Sequence, residues 1–473
     1  MVPADTSIHC NARGSVSEID LSDASLSGTI QNLDFNSFPY LTLLNLNGNN
    51  FNGSIPSGIG SLSRFVFLDL RNNLLEGFVP PEIGPLSANL TKLSKLKDLW
   101  LASNFFTGYI LDSISLISDL QILSLSNNSF QGNIPTSLGQ LRSLEILDLW
   151  MNSLNSTIPP EIGQCSNLSY LALALNSITG SLPLSLSNLT NLYRLEVSYN
   201  SLSGELLSQI GLLTNLIYLS LYNNSFSGSI PPEPGNLRNL SYLILLTNHF
   251  SSEIPPTIRN LTNLYILQLY SNKLSGTIPP SICNLSSLEY LYLSNNNLEG
   301  SIPECSGNFS NALKSLHLEA NCLHSFKGSF QAGVNNHHCE RFGTSTRKIS
   351  KNLDNIDLSN NSFHGNIPIA IGDLNSLRYL NFSHNKLTGG IPPSPGDIAV
   401  LESLDLSSNL LGGEIPWQLT RLTFLEVLNL SMNHFVGHLP QNGQFNTFDQ
   451  SSYIGNPELC GNPILKKCED DKK

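Results

Sequence analysis

One phrase, L-x-L-x-x-N, recurs along almost the whole chain. Its asparagine falls at Asn49, Asn73, Asn104, Asn128, Asn152, Asn176, Asn200, Asn224, Asn248, Asn272, Asn296, Asn321, Asn361, Asn385, Asn409 and Asn433. Ahead of these, "VSEIDLSDASLSGTI" is a first copy with Ala24 in the asparagine slot, giving seventeen copies, most of them 24 residues apart. A chain built this way folds as an array in which no copy buries its apolar face alone. Each position of "LEILDLWMNSLNSTIPPEIGQCSN" then has a physical task. Leu147 and Leu149 alternate with Ile146, Asp148 and Trp150, the period of a strand with one buried face. The amide of Asn152 can satisfy backbone groups at the bend that follows. Gly and Pro in the next segment turn the chain where permissive dihedrals are needed and no N–H donor is.

A period between 20 and 29 residues with this phrase is the signature of leucine-rich repeats. The expected fold is an α/β solenoid, a superhelix of about 17 repeats with one long parallel β-sheet on its concave face. Composition agrees: charged residues make up only 13% of the 473 residues, against about 25% in an ordinary soluble domain. The net charge of -12 comes without a basic cluster, so nucleic acid is not an expected partner.

No apolar run of about 18 residues is present, and "MVPADTSIHC" lacks the apolar stretch of a secretion signal. The acceptor pattern N-x-[ST] nevertheless occurs fourteen times, from Asn52 to Asn429. A repeat rich in "NLS" and "NNS" generates such triplets by itself; the other reading, adopted here as the expectation, is a secreted glycoprotein whose signal lies outside this sequence.

In an oxidising compartment the eight cysteines need sorting by position. Cys165 fills an apolar core slot. Cys283 and Cys305 fall at nearly the same phase of consecutive copies, where coil stacking brings Cα atoms to disulfide distance. Cys322 and Cys339 bracket "LHSFKGSFQAGVNNHHCERFGTSTRKISKN", residues 323–352, an insertion that stretches one interval from 24 to 40 residues. A disulfide-closed loop and an unpaired loop both fit it. Zinc would find formal ligands in Cys322, His324, His337, His338 and Cys339, but no C-x-x-C or H-x-x-x-H spacing supports it. A second insertion, of 7 residues, precedes Asn104 and reads as a bulge.

The segment x-L-x-G-x-I-P-x-x-[IL]-G resembles the plant-specific subclass of leucine-rich repeats. Residues 16 to about 300 are similar to ectodomains of receptor kinases, and "NIDLSNNSFHGNIPIAIGDLNSLRYLNFSHNKLTGGIP" and "QNGQFNTFDQSSYIGNPELCG" to immune receptor-like proteins, which carry a membrane helix but no kinase. The resemblance implies a remnant of an N-terminal cap at 1–15, repeats at 16–322, a non-repeat island at 323–352, repeats at 353–440 and a C-terminal cap at 441–473 closed by Cys460–Cys468. It leaves Cys10 without its usual partner and an open first coil, and it reads the chain as a fragment, a truncated product or an isolated ectodomain.

Phosphate loops, spaced metal ligands and nucleophile motifs are missing from the sequence, so neither an enzyme nor a cofactor is expected. The outward strand positions carry more. Tyr170, Arg194, Tyr218, Tyr242 and Tyr290 form one column, Trp150, Tyr222 and Tyr270 another, with Trp100, Asp148, Glu196 and Tyr292 between them. Aromatics and Arg dominate binding energy at interfaces, although Tyr also suits any strand surface. The expected function is capture of an extracellular peptide or protein, with recruitment of a leucine-rich-repeat co-receptor kinase near Ser383, Asp405 and Ser407, as the resemblance implies. The alternative is a soluble inhibitor of secreted cell-wall-degrading enzymes, similar to the polygalacturonase inhibitors.

Overall fold

A computed structural model of the chain describes residues 7–83, 93–303, 312–326 and 352–468. It divides into two compact units, Met1–Ser227 and Gly228–Lys473, and each is a run of leucine-rich-repeat coils. In the first unit, nine parallel strands run from Val16–Asp20 to Tyr218–Ser220, and Ser7–Cys10 adds an antiparallel edge strand. In the second, eight parallel strands run from Tyr242–Ile244 to Val427–Asn429. Together the parallel strands correspond to the seventeen copies. Register is strict: Leu147 faces Leu171 and Leu171 faces Leu195, so one leucine of each coil stacks on the same leucine of the next. These leucines are fully buried, and alternate residues face outward.

The ladder asparagine does more than one job per coil. Asn152 donates through Nδ2 to the carbonyls of Leu125 at 3.0 Å, Leu149 at 3.2 Å and Trp150 at 3.3 Å, and its Oδ1 accepts the N–H of Phe130 at 2.9 Å. It therefore ties its own bend to the preceding coil. The x-G-x-I-P segment closes the coil with 3-10 turns such as Pro160–Gln164 and Ser208–Leu212. The helical part of each coil is thus a short 3-10 turn of three to five residues in the described segments. Among the described residues no helix is long and apolar enough to cross a membrane.

At the start of the first unit, Ile19, Ile30, Leu33, Phe38, Leu44 and Leu46 line an apolar cavity of about 460 Å³. Cys10, on the edge strand beside it, is a free, exposed thiol. In the second unit the strand Glu458–Cys460 pairs with His434–His438, and the Cys460–Cys468 disulfide closes the segment, with Tyr453 buried beneath. Most of the 323–352 island and the 7-residue bulge lie outside the described residues. Residues 323–326 do not: Leu323 and Phe326 are buried, and Cys322–Ser325 forms a strand paired with Asn297–Ser301.

Candidate functional site

In the first unit the outward residues of three adjacent strands converge on Arg194. Register places Tyr170 opposite Arg194 and Arg194 opposite Tyr218. The guanidinium lies 3.9 Å from the centre of the Tyr218 ring and 5.6 Å from that of Tyr170, a cation–π arrangement on two sides. Glu196, two residues on and hence on the same face, takes hydrogen bonds from Arg194 Nε at 3.1 Å and Nη2 at 2.5 Å. Burial works against the arginine's charge, but the Glu196 bond outweighs it and holds the group above its ordinary value. Burial also raises the phenols of Tyr170, with Asp148 adding to it, and of Tyr222, with Tyr199 adding to it. Tyr199 meets Tyr222 edge to face at 4.9 Å, and Tyr193 leans on Tyr170 at 6.1 Å. Trp100 is covered by Arg71 at 4.1 Å, which is itself ion-paired to Asp69 at 2.6 Å. Asp148 accepts hydrogen bonds from Ser124 Oγ at 3.1 Å and Ser126 Oγ at 2.6 Å, so its carboxylate already serves the sheet.

The second unit has its own aromatic chain. Tyr265 meets Tyr242 at 5.8 Å and Tyr290 at 5.4 Å, Tyr290 meets Tyr292 at 6.3 Å, and Tyr292 meets His317 at 4.9 Å. Lys314 and Glu289 form an ion pair at 2.6 Å beside it. The Tyr265 phenol is pushed up to about 12, first by its hydrogen bond with Tyr290, then by burial and Glu289. Burial pushes Glu319 upward, but the His317 hydrogen bond prevails and its net shift is downward. Tyr270 stays half-buried on the same sheet.

Such faces are dense in aromatic and charged contacts on a rigid scaffold. Nine stretches, residues 40–62, 119–141, 143–165, 215–237, 263–285, 287–309, 352–374, 376–398 and 400–422, match the Leucine Rich Repeat family. The chain is a leucine-rich-repeat protein. The solved ectodomain of the receptor kinase GASSHO1/SCHENGEN3 from Arabidopsis thaliana, in complex with Casparian strip integrity factor 2, shares 30% identity and a TM-score of 0.64, covering 96% of this chain and 62% of that one. The Arabidopsis receptor kinase HAESA, solved with the peptide hormone IDA and the co-receptor SERK1, shares 28% identity and a TM-score of 0.59 over 98% of this chain and 94% of that one. Receptor like protein 21 of Arabidopsis thaliana is 77% identical over 117 residues, 25% of this chain and 12% of that protein. The matched segment is thus a small part of that relative's length. Its repeats are similar to those of plant receptor ectodomains and receptor-like proteins.

Several sequence expectations move once the repeats are folded. Ser383 and Ser407 are buried, at 5% and 3% exposure, and so cannot offer their hydroxyls to a co-receptor. They occupy the slot held by Trp150 and Tyr222 in other coils; a side chain as short as serine sinks below the rim that an aromatic clears. Asp405 accepts from the Ser407 N–H at 2.9 Å and from Asn429 Nδ2 at 3.2 Å, and Asn381 donates likewise to Asp357 at 3.1 Å. That face is a polar ladder along the sheet. Cys322 faces solvent from a paired strand with its thiol free, and Cys339, its expected partner in a closed loop, lies outside the described residues. Cys283 is disulfide-bonded, and its expected partner Cys305 also lies outside them. Cys165 is buried and free, and burial raises its thiol to about 11. The sequence reading missed Tyr193, Tyr199 and Tyr265. Tyr193 and Tyr265 each precede the first residue of a strand, where two successive side chains face outward and period-two counting skips one.

Proposed function

We propose that the chain is the extracellular ligand-capturing part of a plant receptor and that the first unit's face around Arg194 is its principal contact with a peptide or protein. The observation that carries this reading is the Tyr170–Arg194–Tyr218 stack with its Glu196 partner. Aromatic rings and an arginine, half-buried and preorganised by neighbouring coils, lose little entropy on binding. Trp150 and Tyr222 extend the face, and Glu196 selects against acidic ligand groups that would compete for the same guanidinium. The second unit's Tyr242, Tyr290 and Tyr292 offer a separate surface of the same chemistry. The peptide hormone IDA in the HAESA complex supports the ligand class, and so does Casparian strip integrity factor 2 in the GASSHO1/SCHENGEN3 complex as an extrinsic partner of a similar ectodomain. The HAESA–SERK1 complex supports recruitment of a co-receptor kinase, and in the second unit the exposed Tyr379 and Val427 are better placed for it than the buried serines. The test is affinity capture from plant extracellular fluid by the wild-type chain and by Arg194→Ala. A ligand retained equally by both would remove the Arg194 face from the reading.

A further inference from the structure

Just after the ladder asparagine the chain forms a second, lateral strand, and in the first unit six of these build one parallel sheet. The first and fifth residues after the asparagine face outward on it. In the coils of Asn73 and Asn104 they are Leu74 with Phe78 and Phe105 with Tyr109, every one of them at least 46% exposed. The next coil has Ser129 and Asn133 there, and the three coils after it have only Ser, Thr or Glu. Register arranges the four apolar side chains as a diagonal track. Leu74 stands opposite Asn52 on the preceding strand, Asn50–Gly53; Phe105 stands opposite Glu76, and Phe78 opposite Thr107. The Phe78 ring fills the space over Gly108 and the Tyr109 ring the space over Gly132, since a Cβ on these glycines would come within 2.3 Å and 2.5 Å of the respective rings. At the head of the track, Asn52-Gly53-Ser54 is an N-x-[ST] acceptor. Asn52 is exposed, whereas the acceptor asparagines Asn127, Asn381 and Asn429 already commit their amides to Ser103, Asp357 and Asp405.

We propose that Asn52 carries an N-linked glycan and that this glycan lies along the Leu74, Phe105, Phe78 and Tyr109 track of its own chain. The inference rests on the extracellular reading above, because the modification belongs to secreted chains. With strands about 4.8 Å apart and a rise of about 3.3 Å per residue, the track begins roughly 5 Å from Asn52 at Leu74 and ends roughly 20 Å away at Tyr109. The sugars therefore meet these side chains in order as the glycan extends. The C–H bonds on the flat side of a pyranose are weakly positive and suit the negative face of an aromatic ring. Its hydroxyls find partners in Glu76, Thr107 and Gln131, the last of which stands opposite Tyr109. Four apolar side chains edged by polar coils are too narrow for a standard protein interface, which takes about 20–30 residues a side, but they fit a branched oligosaccharide. The glycan covers an apolar patch that the two coils leave open to water.

The experiment uses the chain secreted from plant cells behind an added signal peptide. Glycopeptide mass spectrometry is expected to find Asn52 occupied. Hydroxyl-radical footprinting is expected to oxidise Phe78 and Phe105 several-fold more slowly in this chain than in Asn52→Gln or Ser54→Ala, while Asn155→Gln, an acceptor variant farther along the same lateral face, leaves both rates unchanged. Phe106, fully buried beside them, stays unoxidised as long as a variant is folded. A bare Asn52 beside an occupied Asn188 or Asn260 overturns the inference, as do equal oxidation rates in the wild-type and Asn52→Gln chains. Shielding of Phe78 and Phe105 that persists in Asn52→Gln also overturns it and assigns the rings to a second copy of the chain or to another protein. Ligand capture by the Arg194 face is expected to be unchanged in Asn52→Gln, so the proposed function is read separately on the same material.

Discussion

In coil after coil the residue just before the ladder asparagine adopts left-handed dihedrals, with φ of 54° at Met151, 56° at Leu175 and 51° at Tyr199. Such a conformation costs a non-glycine residue about 1–2 kcal/mol and a β-branched one more. Met151→Val is therefore expected to destabilise the chain by about 1–2 kcal/mol, while Met151→Gly is neutral or stabilising, as read from urea unfolding midpoints. The strain is worth bearing because this residue aims the asparagine side chain into the preceding coil. Asn152→Ala should cost more, since several buried backbone groups lose their partner at about 1–3 kcal/mol each. On the binding face, Tyr218→Ala should weaken ligand capture by about 2 kcal/mol or more and Ser407→Ala should leave it unchanged; equal, small losses at both would show that Tyr218 is only a strand-surface residue. At this scale the buried leucines and the asparagine were legible from alternation alone. The left-handed residue was not, because Met, Leu, Tyr, Ser and Asn all occupy that slot and no residue type marks it. Nor was the Arg194–Glu196 pairing, since two residues on one face state proximity but not which oxygen takes which proton.

The 3-10 turns stack as closely as the strands do, and glycine sets the distance. A Cβ on Gly163 would come within 2.2 Å of the Ser185 carbonyl oxygen, and one on Gly139 within 2.3 Å of that of Glu161. Neither glycine has positive φ, so the requirement is close approach of one turn's backbone to the next. Gly163→Ala is expected to cost about 1–3 kcal/mol through overpacking against a backbone that cannot step aside, seen as a lowered Tm with an unchanged far-ultraviolet spectrum. An unaltered Tm would mean that the turn has slack. The I-P-x-x-[IL]-G signature announced a turn here, but not its hydrogen-bond pattern, since three to five residues between prolines and glycines fit a 3-10 turn or a loose loop equally well. His324 and His364 show the same limit: stacking of lateral strands makes neighbours of residues that the sequence holds 40 apart.

Across each unit, stability is shared between neighbouring coils, so a terminal coil has a partner on one side only. In the second unit that coil is held by the strand Glu458–Cys460, by Tyr453 beneath it and by the Cys460–Cys468 disulfide. Asn456 continues the asparagine ladder into this cap: its Nδ2 donates to the Leu430 carbonyl at 3.0 Å and its Oδ1 accepts the Phe435 N–H at 3.0 Å. The cap is thus one more rung, locked by a covalent bond in place of a following coil. Closing so short a loop is worth about 2–4 kcal/mol. Cys460→Ser with Cys468→Ser should lower the free energy of unfolding by that order, and the loss should begin locally. Hydrogen exchange is expected to quicken first in His434–His438, which pairs with the cap strand, then in Val427–Asn429, while Tyr290–Tyr292 stays protected at first. Uniform loss of protection along the unit would show that the disulfide restrains the unfolded chain alone and does not hold the last coil in place.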